Sequence, residues 1–424
     1  MRNLFTYGAG IPRYLALWLP LAPLLVAGLV ALRVHRGAIV AVLASTIPTF
    51  FLHNPPRGAP YALRWLALVG VTLVVLWWLV LRVRDGDDEV AAPEPMRWPV
   101  VLALVALSLA VRVPLAWLDP GVGDFALSSE HAARTLMEGT NPYTVTNPHA
   151  TYGTYQYPAG TLLAHVPFVA LDPGAVLGEE HLGARAVLWV TDAAVVVLLA
   201  WAGARAGHAR GGLAAAFAYA VHPTVVRESG IVVANDLLLA ALVTGVAVAL
   251  ARDRRLLAGV LTGLAVAVKP TALLLVPVVL VAGGWMAAAC AVLVPAALQA
   301  PFLLWPRPGA YGLRAMAEPV ARGEPLAILE YSTWYPLYAL RDGALGAVRF
   351  AAVAGLVVAT AAAGWAGVAL RRGTRTIARC AAAVAVPFVV AFFTASVQRH
   401  NYQDWYLAAF LLAVGLSARR AAAR

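Results

Sequence analysis

The sequence predicts an all-α protein, a polytopic transmembrane helical bundle of about twelve crossings with further helices on the external membrane surface. Of its 424 residues, 61% are hydrophobic and 12% are charged, whereas a soluble domain is about 25% charged. The mean hydropathy is +0.76, and apolar runs of about 20 residues, long enough to span a bilayer as a helix, recur along the chain. Together these observations exclude a soluble globular protein.

Arginine clusters predict the orientation of the crossings. Arginines in short loops face the cytoplasm, so two cytoplasmic clusters must be separated by an even number of crossings. The formal net charge of +11 is therefore assigned to loops beside an anionic membrane leaflet, and not to nucleic-acid binding. The six clusters are Arg33/Arg36, Arg82/Arg84/Arg97, Arg205/Arg210, Arg252/Arg254/Arg255, Arg371/Arg372/Arg375/Arg379 and Arg419/Arg420/Arg424.

The apolar runs are assigned to crossings in chain order. The fourth crossing leads out into a long external loop, 119–183, in which the run 160–171 is too short to span and is placed on the outer surface. A second external loop, 305–342, precedes the last three crossings. The predicted spans are 14–32, 37–53, 61–82, 98–117, 184–204, 211–226, 236–251, 256–268, 270–282, 285–304, 344–370, 380–396 and 405–418.

The run 256–282 has to contain a break. It begins at a cytoplasmic arginine cluster and must also end on the cytoplasmic side if the loop 305–342 is external. Proline removes a helical hydrogen-bond donor and disfavours helix at the residue before it. We therefore predict two short helices, 256–268 and 270–282, that form a tight hairpin with the Lys269-Pro270 step at its external tip.

Asp124 is the first candidate for chemistry. It follows the fourth crossing and precedes an amphipathic helical pattern in which Glu130, Arg134 and Glu138 share a polar face at i, i+4 spacing. An aspartate in this place is either a helix N-cap or a general base, because partial desolvation at a membrane surface raises the pKa of a carboxyl group. Its position alone leaves both interpretations open.

Lys269 is the second candidate. It is the only lysine in the chain, and it lies inside an apolar run. A charge at membrane depth is costly and marks a functional site, here one that suits a lipid phosphate. The alternative is a lysine whose ammonium group reaches back to the interface without a specific partner.

Two other predicted external tips carry polar side chains. The tip 222–236 holds Arg227, and it ends in Asp236, which is either a helix cap or a binding residue. The tip 398–404 is dense in hydrogen-bond donors, and Trp405 and Tyr406 after it fit the interfacial aromatic belt. Its residues that suit phosphate or substrate recognition are Gln398, Arg399 and His400.

The sequence contains no motif of a nucleotide, zinc or Ser-His-Asp enzyme. Its two cysteines, Cys290 and Cys380, lie in apolar runs and predict neither a disulfide nor a metal site. We predict no cofactor, although a divalent metal stays open. Asp192 lies within a crossing, where it requires a partner on a neighbouring helix. Four tyrosines of the first external loop either stack on sugar rings or lie at the interface: Tyr143, Tyr152, Tyr155 and Tyr157.

The order of these motifs resembles the GT-C class of integral-membrane glycosyltransferases, and within it the actinobacterial polyprenyl-phosphate-mannose-dependent mannosyltransferases. Family members often have a second proline where Ala159 stands. The matching motifs are Asp124 in GVGDF, Gly139 to Tyr143 within MEGTNPY, Tyr157-Pro158 in YQYPAG, Gly183 and Arg185 as G-x-R, Asp236 in IVVAND, and GVLTGLAVAVKP from Gly259 to Pro270.

The resemblance implies a division of the chain and an activity. Residues 96–424 would form a GT-C-like transmembrane catalytic core, preceded by an extra three-helix segment and a cytoplasmic linker in residues 1–95. The core would move a sugar, mannose in the family, from a polyprenyl phosphate to a lipid or cell-envelope glycan acceptor with inversion. The reaction would occur on the extracytoplasmic face of the plasma membrane. The lipid-linked donor is a substrate, so no cofactor is implied.

The resemblance also implies roles for single residues. Asp124 would deprotonate the acceptor hydroxyl, and fixed cations would stabilise the leaving phosphate. The candidates for phosphate binding are Lys269, Arg399, His400 and Arg227. The candidates for substrate binding are Asp236, Tyr143, Tyr157, Glu130 and Gln398.

Two alternatives to an enzyme remain at the level of the sequence. A transporter or flippase for a lipid-linked sugar would suit a broken helix beside Lys269, but the polar residues gather on one face and no inverted repeat is apparent. A membrane scaffold without catalysis explains neither Lys269 nor the long first external loop.

Overall fold

The chain is all-α, as the sequence predicts. Within the described residues the β pairing is one isolated antiparallel bridge between Thr146 and Thr154, and every other regular element is helical. The external loop 305–342 lies outside the described residues from residue 306 onward. The computed structural model of the protein describes residues 10–34, 36–52, 59–84, 91–118, 123–150, 153–172, 181–305, 345–394 and 404–416.

Two short non-α turns interrupt the helical chain, a π-helical turn at Glu228–Val232 and a 3₁₀ turn at Pro270–Leu275. The α-helices are α1 Gly10–Ala31, α2 Arg36–Leu52, α3 Ala59–Arg84, α4 Trp98–Arg112, α5 Leu115–Leu118, α6 Asp124–Met137, α7 Ala159–Ala170, α8 Leu182–Arg205, α9 Ala209–Val221, α10 Pro223–Arg227, α11 Asp236–Ala251, α12 Arg255–Val268, α13 Val276–Gly283, α14 Trp285–Leu304, α15 Leu345–Arg372, α16 Ile377–Thr394 and α17 Asp404–Leu416.

Helices long and apolar enough to cross a membrane confirm the membrane class. Within the described residues four helical spans meet this criterion of length and composition, and further apolar helical segments of 10–17 residues accompany them. The total of about twelve crossings stays a prediction. The four long spans are Trp98–Trp117, Leu182–Arg205, Trp285–Leu304 and Val353–Arg372.

The centre of the bundle consists of α8, α9, α11, α16 and α17, whose facing sides share one hydrophobic core. Small residues let these helices approach closely: a Cβ added to Gly211 in α9 would collide with the carbonyl oxygen of Gly415 in α17. Close packing of small residues is a main source of helix association in an apolar solvent.

The three N-terminal helices pack against this centre. The ring of Phe217 in α9 occupies the space beside Gly28 in α1. Ser45 Oγ in α2 lies 3.1 Å from His222 Nε2, and Arg379 Nε donates to the carbonyl oxygen of Val83 in α3 at 2.7 Å. The division into residues 1–95 and 96–424 stays a prediction, but the two parts share one core.

The chain reverses at Lys269, as predicted. α12 ends at Val268, Lys269 has an extended backbone (φ −150°, ψ 121°), and Pro270 starts the 3₁₀ turn that continues into α13. The end of α13 returns to the start of α12, because a Cβ added to Gly283 would lie 3.9 Å from the Cβ of Arg255. Lys269 is therefore at the tip of a helical hairpin.

α7 lies across the same end of the bundle as Lys269. Thr161 at its start donates to the carbonyl oxygen of Val268 at 2.9 Å. Near its other end, the carbonyl oxygen of Phe168 would lie 2.8 Å from a Cβ added to Gly183, at the start of α8. Both ends of α7 thus meet helix ends on one side of the bundle. The helix predicted at 160–171 is present, and its position on the outer membrane surface stays a prediction.

A buried ion pair connects α4 with α8. Arg112 Nε lies 2.7 Å from Asp192 Oδ2, and both side chains are fully buried. The guanidinium group also donates to Ser229 Oγ at 2.8 Å and to the carbonyl oxygen of Ala220 at 2.6 Å. The hydroxyl of Tyr219 donates to Asp192 Oδ1 at 2.7 Å. Asp192 has the partner that a charge inside a crossing requires, and the partner is Arg112.

We expect Asp192→Leu to lower the free energy of unfolding by about 3–5 kcal/mol, because the charge of Arg112 then stays buried without a counter-charge. The double variant Arg112→Met/Asp192→Leu should recover most of the loss, since it removes both charges. Thermal unfolding in detergent micelles, followed by tryptophan fluorescence, measures both. A double variant no more stable than the single one would contradict this account.

Candidate functional site

Lys269 binds a buried carboxylate at the tip of the hairpin. Its ammonium group forms an ion pair with Asp236 Oδ1 at the start of α11, and the lysine side chain is 19% exposed while that of Asp236 is fully buried. The indole N–H of Trp405 donates to the same oxygen. The ammonium nitrogen also lies 5.0 Å from the centre of the Trp405 ring. Three distant parts of the sequence therefore meet at one carboxylate.

Trp405 and Tyr406 do not form part of a lipid-facing aromatic belt. Both side chains are buried, and the Trp405 ring packs edge-on against Phe388 in α16 at 6.1 Å between ring centres. The interfacial interpretation of these two residues was wrong, because the hydrogen bond to Asp236 and the core of α16 hold them inside the bundle.

More charges surround this pair. Arg227 forms an ion pair with Glu228, the first residue of the π-helical turn. Asp404, the first residue of α17, is fully buried, and neither carboxyl oxygen has a hydrogen-bond partner among the described residues. The carboxylates of Glu228 and Asp236 lie near enough to Asp404 to act on it electrostatically. The site is thus an acidic region with Lys269 and Arg227 as its cations.

Some predicted site residues lie outside the described part of the chain. They belong to the segment 395–403 that precedes Asp404 or to the first external loop, and they are Gln398, Arg399, His400 and Tyr152.

The π-helical turn holds the start of α6. Val233 after the turn has a left-handed backbone (φ 59°), and the carbonyl oxygen of Val232 accepts a hydrogen bond from Gly123 N at 3.1 Å. A Cβ at Gly123 would lie 2.8 Å from that oxygen, so only glycine fits there. The next residue, Asp124, is the first of α6, and its side chain lies outside the described part.

Phe125, the residue directly after Asp124, packs against aromatic residues of the first external loop and of α7. Its ring packs edge-on against Tyr157 at 4.7 Å and against His165 of α7 at 5.7 Å. α7 in turn binds the carbonyl oxygen of Val268, directly before Lys269. Gly123 therefore touches the segment that leads to Asp236, while Phe125 is connected to the segment before Lys269 only through α7.

Tyr143 and Tyr157 belong to an aromatic cluster beside α7. The hydroxyl of Tyr143 donates to the carbonyl oxygen of Tyr157 at 2.8 Å, and its ring packs against Tyr155 and Phe302 at 5.4 and 5.3 Å. Burial raises the pKa of Tyr143 well above its usual range, so its hydroxyl stays a donor. Tyr143 holds the loop in place, whereas Tyr157 is only half-buried and packs against Phe125, the residue after Asp124.

Glu130 lies in a separate polar network on α6. Its carboxylate accepts hydrogen bonds from Arg134 at 2.7 Å and lies 2.8 Å from Nδ1 of His181, at the start of α8. Burial acts to raise the pKa of Glu130, but the hydrogen bonds of His181 and Arg134 outweigh it and hold the pKa below its ordinary value of 4.5. Arg134 also lies 3.7 Å from Asp172. The network thus connects α6 to Asp172 after α7 and to His181 before α8.

We expect Glu130→Gln to destabilise the protein at about pH 6 and to lose this effect below about pH 4.5. Because the folded pKa is lower than the unfolded one, the stabilisation is present above the unfolded pKa and is lost as the pH falls through the folded pKa. Thermal unfolding of both proteins across this range tests it. Glu138→Gln, at an exposed carboxylate directly after the same helix, is the control and should show no such pH dependence.

The sequence of the chain matches one protein-family model. The model of glycosyltransferase family 87 matches residues 155–397, more than half of the chain. The chain belongs to glycosyltransferase family 87. It is a membrane glycosyltransferase, which decides against the transporter and scaffold alternatives. No curated protein and no solved structure matches the chain.

The region that matches glycosyltransferase family 87 contains Arg227, Asp236 and Lys269. Asp124 and Trp405 lie outside it on opposite sides. The site therefore combines residues of the family region with residues before and after it. Among the described residues, no group of three His, Cys, Asp or Glu side chains is arranged to hold a metal ion.

Two features of the site were not predicted. No role in binding was predicted from the sequence for Asp404 and Trp405. Asp404 is an acidic residue directly before a predicted crossing, however, and an ionisable residue in such a place indicates a functional site. Arg112 was not singled out either. It is the last residue of α4, where a basic side chain is also expected because it interacts favourably with the helix dipole.

We expect Lys269 and Asp236 to be energetically coupled by about 1–3 kcal/mol in a double-mutant cycle. Lys269→Gln leaves the buried carboxylate without its cation, and Asp236→Asn leaves the cation without its carboxylate, so each single variant is destabilised. The double variant should be less destabilised than the sum of the two. Additive effects in thermal unfolding would show that the pair contributes nothing as a pair.

Proposed function

We propose that this family 87 glycosyltransferase moves a mannosyl residue from a polyprenyl phosphate to a lipid or cell-envelope glycan acceptor, with inversion, on the extracytoplasmic face of the plasma membrane. The observation that carries the proposal is the placement of Asp124. Gly123 before it touches the segment that leads to Asp236, and Phe125 after it packs against α7, which binds the carbonyl oxygen of Val268 next to Lys269. A base for the acceptor and a cation for the leaving phosphate can thus act on one sugar.

Asp124 is proposed as the general base. It takes the proton of the acceptor hydroxyl as the oxygen attacks the anomeric carbon. The bond between this carbon and the phosphate oxygen breaks, and polyprenyl phosphate leaves with the electron pair. The hydrogen bond between Gly123 and Val232 supports this role, because it fixes the start of α6 against the acidic region.

Lys269 is proposed to bind the donor phosphate. Its ammonium group is partly exposed at the end of the hairpin, while Asp236 and the Trp405 ring hold it in one direction. A fixed cation stabilises charge that develops on the phosphate without having to reorient. Asp236 therefore acts on the substrate through Lys269 and as a polar group at the edge of the sugar site.

The remaining residues are proposed in lesser roles. Arg227 is oriented by Glu228 and extends the positive charge available to the phosphate. Tyr157 offers a half-buried ring for a sugar face, and Tyr143 positions it through the hydrogen bond to its carbonyl oxygen. Glu130 supports the helix that carries Asp124. Gln398, Arg399 and His400 are proposed to complete the phosphate and acceptor site from the segment before α17.

We expect Asp124→Asn to lower the rate of mannosyl transfer by about 10²–10⁴, the contribution of a positioned general base. The assay uses purified protein, polyprenyl-phosphate-[14C]mannose and a membrane lipid extract as the acceptor. Asp253→Asn, at an exposed carboxylate of the α11–α12 turn, is the control and should keep full activity. Unfolding curves of both variants show whether each is folded.

Three outcomes decide between parts of the proposal. Transfer that survives Asp124→Asn assigns the base to another carboxylate, with Asp236 the next to test. Transfer from a nucleotide sugar but not from the lipid-linked donor would contradict the donor class and the external face. Transfer of a pentose in place of mannose would correct the sugar alone.

A further inference from the structure

A basic cavity lies on the side of the bundle opposite to Lys269. It has a volume of about 130 Å³ and is formed where the linker before α4 meets the α8–α9, α11–α12 and α15–α16 turns. These turns carry three of the arginine clusters that predict the cytoplasmic side. The cavity is therefore separate from the proposed catalytic site by the full length of α12.

Three arginines line the cavity, one from each turn: Arg205, Arg252 and Arg375. Arg375 donates to Asp253 at 2.9 Å, and Asp253 is shared with Arg255 at 2.8 Å. Among the described residues, no carboxylate pairs with Arg205 or Arg252. Counted over the described residues, the lining of the cavity therefore carries more positive than negative charge.

Hydrogen bonds hold the linker against the α8–α9 turn beside the cavity. Glu94 N in the linker donates to the carbonyl oxygen of Ala204 at 2.8 Å, and Glu94 Oε2 accepts a hydrogen bond from Ala209 N, the first residue of α9, at 3.2 Å. Gly207 between them has a left-handed backbone (φ 69°) and lies directly against the linker. These contacts join the linker to the α8–α9 turn, next to Arg205 in the cavity lining; the guanidinium carbon of Arg205 lies 5.8 Å from the centre of the Trp201 ring.

We propose that this cavity binds a phosphate group at the cytoplasmic membrane surface, with Arg205, Arg252 and Arg375 as its ligands. A guanidinium group matches the geometry of phosphate oxygens in a bidentate way. Basic pockets between transmembrane helices at the cytoplasmic side suit the headgroups of anionic lipids. The apolar side chains of Ile377 and Leu416 in the same wall suit the glycerol and acyl part of such a lipid.

The test measures binding to the full-length protein in an uncharged detergent by isothermal titration calorimetry. The probes are dioctanoyl phosphatidylglycerol, dioctanoyl phosphatidylcholine and inorganic phosphate. The pocket variant is Arg205→Gln/Arg252→Gln. The control Arg371→Gln/Arg372→Gln removes the same charge from exposed positions at the end of α15.

We expect the wild-type protein to bind phosphatidylglycerol more tightly than phosphatidylcholine. The pocket variant should bind phosphatidylglycerol about tenfold more weakly or worse, as for loss of hydrogen bonds to a charged group, while the control keeps the wild-type affinity. Arg205→Lys/Arg252→Lys retains charge without the bidentate geometry and should give an intermediate affinity. This variant keeps the test valid if the glutamine variant does not fold.

Each outcome bears on the proposal. Tight binding of phosphatidylglycerol without competition by inorganic phosphate assigns a lipid headgroup. Binding of inorganic phosphate with the same loss in the pocket variant assigns a soluble phosphate. Equal loss in the pocket variant and the control, or no preference for phosphatidylglycerol together with no binding of phosphate, would overturn the proposal.

Discussion

A charge inside an apolar bundle needs a counter-charge, and this constraint organises the half of the bundle that contains Lys269. Asp236 is buried at the start of α11, and it meets Lys269 from the α12–α13 hairpin and Trp405 from α17. Deeper in the bundle, Arg112 and Asp192 satisfy the same requirement between α4 and α8. Each contact connects elements that are far apart in the sequence, so the pairing of charges also fixes the packing of the helices.

The π-helical turn connects the buried Arg112–Asp192 ion pair with the start of α6. Arg112 binds Ser229 inside the turn, and the carbonyl oxygen of Val232 at its end binds Gly123 before α6. The buried ion pair thus lies beneath the residue proposed as the base, Asp124. α7 supports α6 from the other side through the contact of Phe125 with Tyr157. A surface helix held from below and from the side can position a catalytic carboxylate without a large soluble domain.

The two ends of the bundle differ in their chemistry. At the Lys269 end, the described charged groups are the carboxylates of Asp236, Glu228 and Asp404 with Lys269 and Arg227 as the cations. At the other end, Arg205, Arg252 and Arg375 are brought together by turns with few acidic residues. An accumulation of arginines in the turns at one end is the pattern that the positive-inside rule describes. The packing of three of these turns brings their arginines to one cavity.

The sequence by itself determined the all-α membrane class, because hydropathy and the placement of arginine are properties of the chain composition. It also determined the reversal at Lys269, since the effect of proline on the preceding residue is local. The family resemblance marked Asp236 and Lys269 separately. Only the tertiary structure decided that these two bind each other, that Trp405 is buried beside them, and that Arg112 is the partner of Asp192. Such contacts join helices across long stretches of sequence, and which charges meet depends on how those helices pack.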